Sequence, residues 1–168
     1  MPHNQTLLRE LGVLPDVLAA GFRRKTGAQF YPANGVGSTE LIFSSGRFTR
    51  ESETVQEERS KFDHILLKHA RKQGADVREG WLVQNFVADS EGVSVKARDP
   101  EGKTHSVRAA FLIDASGRGN LTGNQERMRE LHPRHRKVAI FGHFTGVQRD
   151  EGERGGDTVM LRMDNKWF

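Results

Sequence analysis

Cysteine is absent from this 168-residue chain, which excludes disulfides and thiolate chemistry together. No apolar run approaches the ~20 residues needed to span a bilayer. The opening stretch Met1-Pro2-His3-Asn4-Gln5 has neither the basic nor the apolar segment of a signal peptide. These absences lead us to expect a cytoplasmic chain with no membrane partner. Hydrophobic residues are also scarce, at 35%, low for a compact domain, and mean hydropathy is −0.65. Either much surface is solvated or some of it packs on chain outside this sequence. Neither charge dominates. Lys and Arg number 26 against 22 Asp and Glu, a net charge of +4, which is a weak pull toward nucleic acid. The length is enough for one domain with a real core.

The pattern that is present is a mixed one. The spacing predicts a helix over 5–11 stopped by Gly12, then a second short helix opened by Pro15 and Asp16 and ended by Gly21. Leu7, Leu8, Leu11, Leu14 and Leu18 would supply their apolar face. Residues 28–31 and 39–44 read as strands around the turn Pro32-Ala33-Asn34-Gly35, and 46–55 as a polar loop. Ser60-Lys61-Phe62-Asp63 fits a capping box with Asp in the acidic position. The helix it opens carries Phe62, Ile65, Leu66 and Ala70 on one face and stops at Gly74. Residues 75–78 read as a short strand. Three alternating runs, 82–88, 93–98 and 105–109, are separated by Asp89-Ser90-Glu91-Gly92 and Asp99-Pro100-Glu101-Gly102, which predicts a β-meander. Further on, 125–131 reads as helix, and 137–145 and 158–163 as strands around a charged, Gly-rich loop at 148–157.

The most informative stretch is Ala110-Phe111-Leu112-Ile113-Asp114-Ala115-Ser116-Gly117-Arg118-Gly119. An apolar run ends in Asp and turns through Ser and two glycines. It predicts a buried strand in a parallel sheet, with a Gly-rich loop at its carboxyl end. That edge of an open α/β sheet is where ligands bind. Two other clusters invite function and do not reach it. His132-Pro133-Arg134-His135 has no carboxylate or third His to complete a metal site, so no metal is expected. Arg127, Arg129, Arg134, Arg136 and Lys137 lack interleaved aromatics and read as a solvated or covered face rather than a nucleic-acid site.

Three segments, in order, resemble FAD-dependent monooxygenases, reductases and halogenases. Arg59-Ser60-Lys61-Phe62-Asp63-His64-Ile65-Leu66-Leu67 is similar to that superfamily's Arg-x-x-Phe-Asp-x-x-Leu-Leu helix start. Phe111-Leu112-Ile113-Asp114-Ala115-Ser116-Gly117-Arg118 is similar to its Asp-Ala-Ser-Gly-Arg turn. Leu11-Gly12-Val13, Ala20-Gly21-Phe22 and Lys25-x-Gly27-Ala28 resemble the flavin-dependent (tryptophan) halogenase and geranylgeranyl reductase-like branch. The resemblance implies a mixed α/β chain. It would be the central part of an FAD-binding, aromatic hydroxylase-like fold, with a β-meander and the start of a substrate-domain sheet. The implied layout is a helical hairpin with substrate-side strands over 1–58, a partial FAD-binding unit over 59–124 and a truncated substrate-side sheet over 125–168. The family's Gly-x-Gly-x-x-Gly loop would lie before Met1 and its Gly-Asp motif after Phe168. The halogenase Trp-x-Trp-x-Ile-Pro signature would begin near Trp167-Phe168. The expectation is therefore an internal piece of a longer reading frame, inactive with flavin by itself.

The resemblance also assigns roles. Lys25 would be catalytic, carrying hypohalous acid or a chloramine toward substrate; read plainly, it is one of a basic cluster, Arg23-Arg24-Lys25. Arg59 would contact flavin, since a fixed guanidinium suits phosphate or a flavin carbonyl; read plainly, it is a solvated neighbour of Glu57 and Glu58. The Val83 backbone would meet adenine, and Asp114, Ala115, Ser116 and Gly117 would face FAD. Implied partners are a small organic substrate, aromatic or otherwise, and a flavin reductase supplying reduced FAD. Two alternatives remain open. One is a hydroxylase or reductase that does not halogenate, and the other a non-catalytic remnant.

Overall fold

Two short helices open the chain, α1 (Asn4–Glu10) and α2 (Leu14–Ala19). In the computed structural model, which describes residues 1–46, 50–134, 138–163 and the backbone of 166–167, they fold into a hairpin. Its buried stripe is Leu8, Val13, Leu14 and Val17, joined by Val55 and covered by Phe22, Phe62, Ile65 and Leu66. Leu7, Leu11 and Leu18, expected on that face, are more than half exposed. The bend between the helices re-aims the stripe, so Val13 and Val17 take the places those leucines would have filled.

Contacts divide the chain into two compact units, Met1–Val77 with Phe144–Phe168, and Arg78–His143. In the first, β1 (Arg23–Lys25) pairs antiparallel with β4 (Thr54–Gln56). Neither strand is legible in the residue pattern. Three basic residues do not alternate, and Thr54 and Val55 lie at the end of the stretch read as loop. Both of those residues are nevertheless buried. A separate sheet runs in the order β3 (Thr39–Ile42), β2 (Gly27–Tyr31), β8 (Thr158–Met163), β9 (Lys166–Trp167). β2 pairs antiparallel with β3 and parallel with β8.

The helix α3 (Arg59–Lys72) follows β4. Its N-cap is Glu58, and the expected capping box does not form: Ser60 lies inside the helix and donates its hydroxyl to Glu58 Oε1 at 3.0 Å. Phe62, Ile65 and Leu66 pack on the hairpin core as their spacing predicts, and His69 Nε2 reaches the Leu11 carbonyl at 2.8 Å. Residues 75–78 form no strand.

The second unit contains the expected meander, β5 (Leu82–Asp89), β6 (Gly92–Arg98) and β7 (Thr104–Ala109), all antiparallel. An Asp starts each hairpin. Asp89 accepts the Glu91 N–H at 2.8 Å and a two-pronged bond from Arg108, which holds its carboxyl down to about 2. Asp99 accepts the Lys103 N–H at 2.8 Å.

The run after the meander departs from expectation. Residues 111–116 form no strand, and Phe111 and Ile113 are 87% and 89% exposed. A parallel strand needs a neighbour for its ladder and cover on both faces, and no described element supplies either. The same reason applies to 138–145, which carry no strand; Lys137 lies outside the described residues, as do His135 and Arg136 and the Trp167 and Phe168 side chains. The helix expected at 125–131 is α4 (Leu121–Gln125), which ends where the expected one begins. No described helix is long and apolar enough to cross a membrane.

The tightest backbone approach is at Gly156, where an added Cβ would overlap the Arg24 carbonyl oxygen. Gly156→Ala is expected to lower stability by ~2 kcal/mol or more, measured as the shift in the urea midpoint against wild type. An unchanged midpoint would show that β1 can move aside freely.

Candidate functional site

After the meander the chain has no ladder, yet its turn is closely held. Asp114 Oδ1 accepts the Ser116 N–H at 2.9 Å, and Oδ2 accepts both the N–H and the hydroxyl of Thr122 at 2.8 Å. The Ser116 hydroxyl oxygen accepts the Leu121 N–H at 3.1 Å. Gly117 sits at φ +59°, where glycine is at ease. The chain winds through a 3-10 turn, Gly117–Gly119, and Asn120 at φ +45° leads into α4. The Ser116 hydroxyl, then the backbone N–H groups of Thr122 and Ser116, hold the Asp114 carboxyl far below the usual carboxylate range.

α4 in turn docks on β5. Gln125 Nε2 donates to the Phe86 carbonyl at 2.6 Å, and the Phe86 N–H donates to Gln125 Oε1 at 3.1 Å. β5 is an edge strand, so the Gln125 amide occupies one place where a ladder neighbour would pair. A groove of about 830 Å³ lies here, lined by Trp81, Val83 and Asn85 on one side and Ile113, Asp114 and Ser116 on the other. The ladder shifts register between Val83 and Asn85, a bulge that re-aims side chains beside the groove. Trp81 has two close neighbours: the Arg78 guanidinium lies 4.7 Å from its ring centre, and the His105 ring 4.6 Å away at a tilt of 38°. His105 bonds Asp99 at 2.6 Å and holds that carboxyl below its ordinary value.

Of the cofactor residues expected from sequence, Val83, Asp114, Ala115 and Ser116 line this groove, and Gly117 shapes the turn without lining it. Arg59 belongs to the other unit. It opens α3, pairs with Asp63 at 2.8 Å, lies 5.9 Å from the Phe62 ring centre, and has a side chain 77% exposed. Lys25 is also in that unit, at the end of β1. It is half-buried, donates to Thr158 Oγ1 and lies 6.0 Å from the Phe43 ring centre. Sequence reasoning missed Thr122, Gln125 and Thr158. Each acts on a residue 8, 39 or 133 positions away, beyond the reach of a local motif.

Residues 3–145 match the family described as FAD binding domain. A flavin-dependent halogenase of Armillaria mellea is 33% identical over 159 residues, 89% of this chain and 30% of its own length. A solved flavoprotein/dehydrogenase of Cytophaga hutchinsonii is 31% identical with a TM-score of 0.69, over 74% of this chain and 30% of that one. The solved flavin-dependent halogenase CmlS is 24% identical with a TM-score of 0.84, over 99% of this chain and 30% of that one, and supports the fold. The chain spans 18% to 42% of the length of the curated relatives compared with it.

Because the Asp114 carboxylate is charged in the bonded turn, its contribution is full above the ordinary Asp value of about 4 and fades as pH falls through its depressed folded value. The protection factors of the Ser116 and Thr122 amides, exchange rates corrected for intrinsic pH dependence, are therefore expected to stay level from neutral pH to about 4 and to fall below it. Asp114→Ala should show fast exchange at every pH. Protection at Thr122 that survives Asp114→Ala would remove Asp114 from this role.

Proposed function

Because the chain belongs to the FAD-binding domain family, we propose that it carries the adenosine side of an FAD site and the halogen-carrying lysine of a halogenase-like enzyme. The groove suits the flat, uncharged end of the cofactor. Trp81 and Ile113 supply apolar walls, and the edge strand β5 offers backbone N–H and C=O groups to a ring. No Lys or Arg is among its lining residues, so the pyrophosphate would be held by groups elsewhere. Asp114 serves the turn: with three hydrogen bonds to its carboxylate from Ser116 and Thr122, its task is to hold Ala115 and Ser116 at the groove wall. Arg59, kept in place by Asp63, is the flavin-side contact of this reading. In this reading β8 and β9 begin the substrate-side sheet.

Bound FAD supplies the oxygen chemistry that converts halide to hypohalous acid. The Lys25 amine would take the halogen from that acid, forming an N–halogen bond and releasing water; the N–halogen bond then breaks as a carbon–halogen bond forms on a small organic substrate, whose carbon loses a proton while the nitrogen regains one. A flavin reductase would deliver the reduced cofactor. The observation that carries this reading is Lys25 itself. It is half-buried and fixed by a hydrogen bond at the end of a strand, in a chain related to flavin-dependent halogenases. A non-halogenating hydroxylase or reductase is the second reading, favoured by the likeness to the Cytophaga hutchinsonii flavoprotein/dehydrogenase.

In the intact parent enzyme, Lys25→Ala is expected to abolish halogenated product while reduced FAD is still oxidised by oxygen, with peroxide released instead. Lys25→Arg is expected to fail as well, because a guanidinium stays protonated and is a poor nucleophile. Product and peroxide are measured side by side. Halogenation at the wild-type rate by Lys25→Ala would remove Lys25 from the chemistry, and a wild-type enzyme that oxidises reduced FAD without making halogenated product would leave the second reading in place.

A further inference from the structure

The geometry points to Thr158 as the residue that positions the Lys25 amine, an inference that rests on the proposed role of Lys25. Three consecutive residues from the far end of the chain lie against β1 and the corner after it. Gly156 fits under the Arg24 carbonyl with no room for a Cβ. Asp157 Oδ1 accepts the backbone N–H groups of Thr26 and Gly27 at 2.9 and 2.6 Å. Thr158 Oγ1 accepts a hydrogen bond from Lys25 Nζ, and its own hydroxyl points to Gln56 Oε1 at 3.4 Å. Gln56 pairs with Arg23, and Lys25 pairs with Thr54, in the β1–β4 ladder. Since alternate residues share a face, Gln56 lies on the same side of this small sheet as Lys25.

The Thr158 hydroxyl is not needed for the fold. Its backbone is in register with Ala28 in the β2–β8 ladder, and a valine there would keep both shape and strand preference. What the hydroxyl adds is direction. A lysine head on four methylenes has many rotamers, and an amine that must receive and hand on an atom works only when held in one place. Thr158 gives Nζ one acceptor, and Gln56 gives the hydroxyl hydrogen one destination, so the oxygen lone pairs stay turned to Lys25.

The test compares Thr158→Val with Thr158→Ser, first on the 168-residue chain. Each is labelled with an amine-reactive N-hydroxysuccinimide ester, and labelling of Lys25 and of the exposed Lys96 is followed by peptide mass spectrometry. Thr158→Val is expected to raise the Lys25 labelling rate about tenfold with Lys96 unchanged, and Thr158→Ser to restore the wild-type rate. Equal Lys25 rates in wild type and Thr158→Val would overturn the inference. If Thr158→Val fails to fold, Gln56→Leu is labelled in its place; a smaller increase supports the relay and none overturns it. In the intact parent enzyme, Thr158→Val should lower kcat for halogenated product about tenfold with KM unchanged, and Thr158→Ser should recover it. Full activity in Thr158→Val beside an inactive Lys25→Ala would overturn the role of Thr158 and leave that of Lys25 standing. Full activity in Lys25→Ala would remove Lys25 from the halogen transfer, while the labelling result still decides whether Thr158 holds the amine.

Discussion

The Asp157 carboxylate ties the β1–β2 corner to a strand 131 residues further along the chain. Neighbouring features follow from that tie. With Thr26 and Gly27 anchored, β2 meets β8 in parallel register, Ala28 beside Thr158, and the antiparallel β3 completes the inner sheet. Parallel pairing has no short connection to enforce it, so a side chain that bonds two successive backbone N–H groups on the partner is an effective way to set register. Arg24 adds a second tether by donating to Glu53 ahead of β4. The half-buried Lys25 lies between the two.

The second unit solves a different problem. Its meander has β5 at an edge, and the chain that follows offers no strand to cover it. A short helix does so instead, through the paired hydrogen bonds of Gln125 to Phe86. That helix is placed by Asp114 and Ser116, whose side chains bond the N–H groups of Thr122 and Leu121 at its start. The groove is the space left between these two attachments. Its walls combine apolar residues such as Trp81, Val83 and Ile113 with the amides of Gln84, Asn85 and Asn124, and its one lining carboxylate is occupied by the turn, which is the basis for proposing a neutral ring as its ligand.

Much of this was legible in the sequence wherever the signal was local. Asp89 and Asp99 each start a turn that closes on a glycine, and the meander followed within a residue or two. Phe62, Ile65 and Leu66 recur at helical spacing, and they pack on the core. The Asp-Ala-Ser-Gly turn was readable through a resemblance to FAD-dependent enzymes, and the family match agrees with that resemblance. What escaped depends on distant partners. Arg23-Arg24-Lys25 is a strand because Thr54 to Gln56 pairs with it, not because of its own composition. Phe111 to Asp114 has the composition of a buried strand but lacks a ladder neighbour and cover, so it forms no strand and leaves Phe111 and Ile113 exposed. Thr158 gave no sequence sign, since its hydroxyl matters only through a lysine 133 positions away.

The most direct measurement of the proposed chemistry follows the halogen itself. The intact parent enzyme would be turned over with reduced FAD, oxygen and chloride but no organic substrate, then quenched and mapped by peptide mass spectrometry. The expected result is one chlorine in place of one hydrogen on the peptide containing Lys25, removable by a mild reductant. Chlorine spread evenly over the lysines, or absent from Lys25 while peroxide accumulates, would contradict it.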